Sequence, residues 1–293
     1  MFLPNAEFHQ TTTLDEASAM LRRFGAGARL LAGGTDLLVD LKAGRVRADH
    51  IVSITRIVEL KRITLVDGSL RIGALATITQ LDESPDVRRS FAPIRDATQR
   101  MAVRQVRNVA TVGGNLASAV PCADLPPILT ALGGAVELWS PAGVRLVPVA
   151  SFITGVRRTA RTEDEIISAV VVPAIRPRFG AAYVRFGLRE GNAIAVAAVA
   201  AGFSLDAGGR IETARIVLGA VAPTPKAATA AAEGLRGAEP DEATFAAAAT
   251  AARNEADPIS DVRGSADFRR ELVEVLTKRA LRAARERACG GKP

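Results

Sequence analysis

Two pairs of adjacent glycines stand in similar surroundings in this 293-residue chain. The first pair lies in RLLAGGTDLLVDLK (residues 29–42), and the second lies in ATVGGNLASAVPCADLPP (residues 110–127). Each pair follows a strand-like apolar run and precedes polar side chains, Thr35 and Asp36 in one segment and Asn115 in the other. Adjacent glycines reach positive φ angles and let bare backbone approach a ligand, so that successive N–H groups converge on an anion. One pair alone is more typical of a tight turn, whereas two pairs predict a grip on both phosphates of a pyrophosphate.

The familiar phosphate-binding motifs are absent from both segments. Neither reads G-x-x-x-x-G-K-[ST], which excludes a P-loop nucleotidase. Neither reads G-x-G-x-x-G, and the sequence pattern shows no β-α-β alternation around them, so a Rossmann site is not expected. We therefore expect a different architecture to hold the pyrophosphate.

The residues that most often carry chemistry are few. The chain has two cysteines, Cys122 and Cys289, and two histidines, His9 and His50. None of the four stands at a metal-ligand spacing from another, so we expect no metal site and no iron–sulfur cluster on this chain. No Ser/His/Asp or paired-carboxylate constellation is evident either. We therefore predict no catalytic residue, and the chemistry would come from a cofactor.

Composition and charge narrow the class of protein. The net charge is +7, but arginines are spread along the chain and aromatic residues are only 4%, which argues against nucleic-acid binding. The longest nearly apolar run, AIAVAAVAAGFSL (residues 193–205), is too short to span a bilayer. Residues 1–10 lack the pattern of a signal peptide. We expect a cytoplasmic protein without a membrane span.

The pattern along the chain predicts three parts. Residues 1–56 offer a helix with Thr13 and Glu16 at capping-box spacing and Gly25 as its stop, followed by short strands. Residues 57–176 mix strands with helices and end near PAIRP. Residues 177–289 place two long strands before three helices, which is typical of an α+β domain.

The two glycine segments resemble the FAD-binding loops of the flavoprotein subunit of the xanthine dehydrogenase family, the molybdenum hydroxylases. The segments YVRFGLREGNAIAVAAVAA, IVLGAVAPTPKAA and DVRGSADFRRELVEVLTKRAL resemble, in that order, the C-terminal domain of the same subunit. The resemblance covers nearly the whole chain. It implies an α+β protein with a PCMH-type (VAO-like) FAD-binding domain of two lobes, residues 1–176 with lobes of about 1–56 and 57–176. A C-terminal α+β domain with a small β-sheet and helices, residues 177–289, would follow.

The resemblance also implies which residues contact the cofactor. The expected pyrophosphate contacts and their edges are Leu31, Ala32, Gly33, Gly34, Thr35, Asp36, Leu38, Thr111, Gly113, Gly114 and Asn115. Asp124 would bond ribityl or ribose hydroxyls, with a helix N-cap as its other interpretation. Ile167 would approach the adenine or flavin edge. Arg185 stands where the family often has a lysine beside the isoalloxazine ring, and its positive charge would raise the flavin potential.

The function implied by the resemblance is electron transfer. Neither loop holds a histidine or cysteine, so FAD would be bound non-covalently. The chain would be the FAD subunit of a heteromeric molybdenum hydroxylase, an oxidoreductase of the xanthine dehydrogenase type. A large subunit would carry molybdopterin and a small subunit two [2Fe-2S] clusters, in a heterotrimer or a dimer of heterotrimers. Electrons would pass to NAD+, a quinone or another acceptor. The alternatives are a stand-alone PCMH-type flavin oxidoreductase acting on a small molecule, and a binding subunit with a decayed flavin site.

Overall fold

The computed structural model describes residues 5–290 as a mixed assembly of strands and helices. The strands are β1 (Glu7–Gln10), β2 (Ala28–Leu31), β3 (His50–Ser53), β4 (Ile63–Val66), β5 (Ser69–Gly73), β6 (Ala135–Ser140), β7 (Gly143–Pro148), β8 (Ile153–Gly155), β9 (Arg158–Thr159), β10 (Ile166–Val172), β11 (Phe179–Gly187), β12 (Ala195–Leu205), β13 (Ile211–Gly219) and β14 (Lys226–Ala227). The helices are α1 (Leu14–Phe24), α2 (Leu37–Lys42), α3 (Ile78–Glu83), α4 (Pro85–Ser90), α5 (Ala92–Gln99), α6 (Arg104–Arg107), α7 (Val112–Ala117), α8 (Leu125–Ala131), α9 (Val149–Phe152), α10 (Thr229–Glu233), α11 (Glu242–Glu255) and α12 (Ala266–Ala288). Short 3₁₀ turns cover Gly25–Gly27 and Val58–Lys61.

The first sheet has three parallel strands in the order β1-β3-β2. Helix α1 begins after Thr13, whose side chain accepts a hydrogen bond from the Glu16 backbone N–H, and it ends before Gly25 at φ 51°. The Glu16 carboxylate accepts from the Thr12 N–H instead of completing the predicted capping box at Thr13. The run β2-α2-β3 is a short β-α-β unit, so the expectation of no such alternation was wrong. Strands of four residues and a helix of six are too short to display a clear period.

The second sheet is antiparallel, with the strand order β4-β5-β10-β6-β7. The β6-β7 hairpin turns between Ser140 and Gly143, as the Pro-Ala-Gly sequence predicts. Buried side chains of β5, β6 and β10 form one hydrophobic cluster with those of helices α3, α5, α7 and α8. This packing fixes α7, which carries the second glycine pair, against the end of β5.

The third sheet has the order β11-β12-β13-β14, and its inner strand β12 is buried on both faces. Ala198 and Ala200 of β12 pack into the cluster of the second sheet. Ala197 and Val199 point the opposite way, into a second cluster formed with α11 and α12. Burial on both sides explains why β12 is a nearly continuous apolar run, interrupted only by Ser204. The long strands precede the helices, as expected for an α+β arrangement.

Among residues 5–290, no helix combines the length and the apolar character needed to cross a bilayer.

Candidate functional site

A cleft of about 390 Å³ lies between the first and second sheets, within the size range of ligand pockets. The loop after β2, the start of α7 and the strand β10 contribute to its wall. The cleft brings together ten of the residues that the sequence singles out: Ala32, Gly33, Gly34, Thr35, Asp36, Thr111, Gly113, Gly114, Asn115 and Ile167. The two glycine segments, about 80 residues apart in the sequence, therefore face one space.

The first glycine pair forms a loop whose backbone donors are free. Gly33 sits so close to the second segment that a Cβ there would lie 2.0 Å from the carbonyl oxygen of Val109. Gly34 has φ +73°, and its Cβ direction faces the side chains of Leu38 and Leu31 at 3.0 and 3.1 Å. Within the described residues, the N–H groups of positions 33–36 donate no hydrogen bond. Free N–H groups on a left-handed turn are suited to bind an anion.

The second glycine pair lies in a helix, which corrects the expectation of a second loop. Thr111 caps α7, and its side-chain oxygen accepts a hydrogen bond from the Gly114 N–H. The Gly113 N–H donates to the carbonyl oxygen of Ala74, and a Cβ at Gly113 would lie 2.7 Å from the Ala74 Cβ. Gly113 permits close packing on the end of β5, and the N–H donors of both glycines are satisfied within the chain. The second segment therefore offers side chains, above all Asn115, to the cleft.

One buried polar atom in the cleft lacks a partner among the described residues. The side-chain oxygen Oδ1 of Asn115 is shielded from solvent and accepts no hydrogen bond there. Buried polar groups in folded proteins are normally paired, so this acceptor suits a ligand that brings its own donor. A ribose or ribityl hydroxyl is a donor of that kind.

The charges around the cleft suit a diphosphate. Arg29, Arg157 and Arg161 line it together with Asp36 and Asp40, so that cationic groups outnumber carboxylates. Burial lowers the pKa of Arg161. Burial and the neighbouring Asp40 carboxylate raise the pKa of Asp36. Burial opposes ionisation of Asp40, but hydrogen bonds from Arg157 and Arg45 hold its pKa below the usual value.

The bond between Arg157 and Asp40 also joins two parts of the cleft wall. Asp40 belongs to α2 beside the first sheet, while Arg157 lies at the turn between β8 and β9. Arg29, Arg157 and Arg161 could not be singled out from the sequence, since arginines are spread along the whole chain. Asp40 could have been found, because it follows Asp36 by one helical turn within the first segment.

Comparison with known proteins agrees with this geometry. Residues 4–175 match the family described as the FAD binding domain in molybdopterin dehydrogenase, and residues 182–284 match the CO dehydrogenase flavoprotein C-terminal domain. The chain is 35% identical over 289 residues to the xanthine dehydrogenase FAD-binding subunit of Escherichia coli O157:H7, and the alignment covers 98% of each chain. The protein belongs to this family of FAD-binding subunits.

Two solved structures share the family architecture along the whole chain. A chain of carbon monoxide dehydrogenase from Hydrogenophaga pseudoflava matches with a TM-score of 0.93 at 34% identity, covering 97% of this chain and 98% of that one. A chain of quinoline 2-oxidoreductase from Pseudomonas putida 86 matches with a TM-score of 0.91 at 32% identity and full coverage of both chains. The predicted family, the α+β fold and FAD as the cofactor are therefore confirmed, and the protein is an FAD-dependent oxidoreductase subunit.

Two residues expected at the FAD site lie outside the cleft wall, in a buried polar cluster. The carboxylate of Asp124 accepts hydrogen bonds from the Tyr183 hydroxyl at 2.6 Å and from Arg185 Nη1 at 3.0 Å. Arg185 also donates to the carbonyl oxygens of Arg100 and Ala193. Burial raises the pKa of Asp124, which Arg185 and Tyr183 oppose. Burial and the Asp124 charge raise the pKa of Tyr183 well above 10, so its hydroxyl stays a donor.

The Asp124 cluster changes one interpretation and leaves two as predictions. Asp124 occupies the N-cap position of α8, but its side chain makes no capping hydrogen bond, so the N-cap interpretation was wrong. Two contacts stay predictions. They are the contact of Asp124 with ribityl or ribose hydroxyls and the contact of Arg185 with the isoalloxazine ring. Leu31 and Leu38 also lie outside the cleft wall, where they pack against Gly34.

Proposed function

We propose that this chain is the electron-transferring FAD subunit of a heteromeric molybdenum hydroxylase. In this proposal a large partner oxidises the substrate at molybdopterin, and a small partner with two [2Fe-2S] clusters conducts the electrons to this chain. The acceptor is NAD+, a quinone or another oxidant, and the assembly is a heterotrimer or a dimer of heterotrimers. The cytoplasmic location stays a prediction.

The first glycine loop is the observation that carries the proposal. Its unused N–H groups at positions 33–36 face a cleft that also holds the arginines Arg157 and Arg161. Within this cleft the loop would bind the pyrophosphate, while Asn115 would accept a hydrogen bond from a sugar hydroxyl. Bound FAD can exchange electrons singly with a metal cluster and in pairs with a hydride acceptor, which is the chemistry that such a subunit requires.

The relatives support a subunit over a stand-alone enzyme. The alignment with the Escherichia coli subunit covers 98% of both chains, so the similarity extends over the FAD-binding and the C-terminal parts alike. A relative in Hydrogenophaga pseudoflava is named the medium chain of carbon monoxide dehydrogenase, at 34% identity. A stand-alone flavin oxidoreductase would need its own acid or base beside a substrate pocket, and the sequence suggested no such residue.

The decisive experiment compares the isolated chain with the chain in its complex. The isolated protein should contain one FAD that acid releases intact, and small organic substrates should not reduce it. After co-expression with the genes adjacent to its own, it should co-purify with a larger and a smaller chain. The flavin should then be reduced by the substrate of the large chain.

A flavin-free variant separates the roles within the complex. In Gly33→Ala, the large chain should still oxidise its substrate when an artificial acceptor takes the electrons directly from that chain. Electron delivery to the natural acceptor through FAD should be abolished. Gly208→Ala, in the β12-β13 turn, serves as the matched control because a Cβ there meets only Asp206 Oδ1 at 3.4 Å. Substrate-driven flavin reduction in the isolated chain would instead identify a stand-alone enzyme.

A further inference from the structure

Three potential metal ligands meet on one face of the first sheet, away from the FAD cleft. Strands β1 and β3 pair in parallel with Glu7 opposite His50, and His9 follows Glu7 by two residues on the same face. Nε2 of His9 lies 3.1 Å from Nδ1 of His50. Oε2 of Glu7 lies 3.3 Å from that same Nδ1 and 3.8 Å from Nε2 of His9. The histidines are 41 residues apart, so spacing along the chain conceals the group.

The separations between these three atoms match those of a zinc coordination shell. A tetrahedral zinc ion with bonds of about 2.0–2.1 Å places its ligand atoms ~3.3 Å from one another. The three observed separations of 3.1, 3.3 and 3.8 Å bracket that value. Two imidazoles and one carboxylate are a ligand set that zinc accepts, with the fourth position left to water.

The surroundings hold both imidazoles in place and leave a path for an ion. The Phe24 ring stacks on His50 with 3.7 Å between ring centroids and on His9 with 4.9 Å. The side chains of His9 and His50 are only 13% and 24% exposed, whereas that of Glu7 is 66% exposed. A cation can therefore enter from the solvent side beside Glu7 and meet two imidazoles that packing has already oriented. Fixed orientation of imidazole ligands favours metal binding.

We propose that Glu7, His9 and His50 form a binding site for a divalent cation of the zinc type. The bound ion ties β1 to β3. Because β3 also pairs with β2, which runs into the first glycine loop, the ion stabilises the sheet that positions that loop. The role is structural, and FAD binding does not require it.

The test uses Zn²⁺ alone, added to the full-length, tag-free, FAD-loaded protein after chelator treatment. Because the chain has only two histidines, ¹⁵N-histidine labelling gives an NMR spectrum with two imidazoles. One equivalent of Zn²⁺ should shift the nitrogen signals of both. Calorimetry should give one site per chain, and Glu7→Gln, His9→Gln and His50→Gln should each weaken binding at least ~10-fold.

Two control variants test whether other side chains account for the zinc affinity. Glu59→Gln changes an exposed carboxylate in the 3₁₀ turn Val58–Lys61, outside the first sheet, and Cys289→Ser removes an exposed thiol; both should leave the affinity unchanged. Glu7→Gln alters a mostly exposed side chain, so this variant still tests the proposed zinc site if the histidine variants fold poorly. Unshifted imidazole signals at one equivalent, or full affinity in Glu7→Gln, would overturn the proposal. Flavin content should stay constant throughout.

Discussion

Gly33 is the point where the two glycine segments touch, so a single methyl group there tests how the cleft is built. A Cβ at this position would lie 2.0 Å from the carbonyl oxygen of Val109 and 2.8 Å from its carbonyl carbon. Ordinary van der Waals contact begins at 3.4 Å, so in Gly33→Ala the two backbones must separate by about 1.4 Å. Both obstacles are backbone atoms, which cannot rotate away as a side chain would.

The size of the effect follows from the hydrogen bonds that the displaced loop can no longer make. A hydrogen bond to a charged group contributes about 1.5–3 kcal/mol. Loss of two backbone N–H contacts to the phosphates would therefore weaken FAD binding by about 3–6 kcal/mol, a rise in Kd of ~10²–10⁴-fold. Flavin should be missing from the purified Gly33→Ala protein.

The assay is a titration of the apo-protein with FAD, followed by quenching of flavin fluorescence. Circular dichroism and a melting curve establish that the variant is folded. Gly208→Ala is the control, because the added methyl group meets only ordinary contact in a turn far along the chain. If folded Gly33→Ala bound FAD with nearly the affinity of the unmodified protein, the first loop would not be the phosphate site.

Three further predictions concern the cleft, its surroundings and the buried polar cluster. Asn115→Leu keeps the branched shape of the side chain but removes the oxygen that lacks a partner among the described residues, so the Kd for FAD should rise ~2–10-fold in a titration without loss of apo-protein stability. Hydrogen bonds from Arg145 and then from Thr162 lower the pKa of Glu165 from 4.5 to about 2, so the stability that the ionised Glu165 carboxylate contributes is present above pH 4.5 and is lost as the pH falls through 2. Denaturant unfolding at a series of acidic pH values should show a smaller loss of stability in Glu165→Gln, and equal losses would contradict the assignment. Arg185→Gln should lower the flavin midpoint potential in a redox titration of the FAD-loaded protein, and an unchanged potential would refute its predicted role.

The C-terminal strands were predictable because burial leaves a clear pattern in the sequence. Strand β12 lies between two hydrophobic clusters, and ten of its eleven residues are apolar or glycine, Ser204 being the exception. The strand-then-helix order likewise indicated the α+β arrangement. The glycine pairs located the cleft for a similar reason, since Gly33 and Gly113 stand where backbones approach too closely for a Cβ.

Short elements and long-range ion pairs could not be read from the sequence. Strand β1 and helix α2 have only four and six residues, so neither completes a recognisable period. Asp124 precedes a helix, which favoured the N-cap interpretation, but its hydrogen-bond partner Tyr183 is 59 residues away. The Arg157–Asp40 pair spans 117 residues. Such pairs depend on the tertiary arrangement, which local propensity does not encode.

The two glycine segments differ in what they contribute, although their sequences look alike. The N–H groups of Gly113 and Gly114 donate hydrogen bonds inside the chain, whereas those of Gly33 and Gly34 donate none to residues 5–290. We therefore expect the negative charge of a diphosphate to be met from the side of the first loop, with the arginines of the cleft, and not symmetrically from both segments. A methyl group at Gly113 would press on Ala74 in the core and destabilise the fold, because Ala74 is buried at the end of β5. A methyl group at Gly33 instead separates two backbone segments at the wall of the cleft. We therefore expect it to weaken ligand binding before it destabilises the fold.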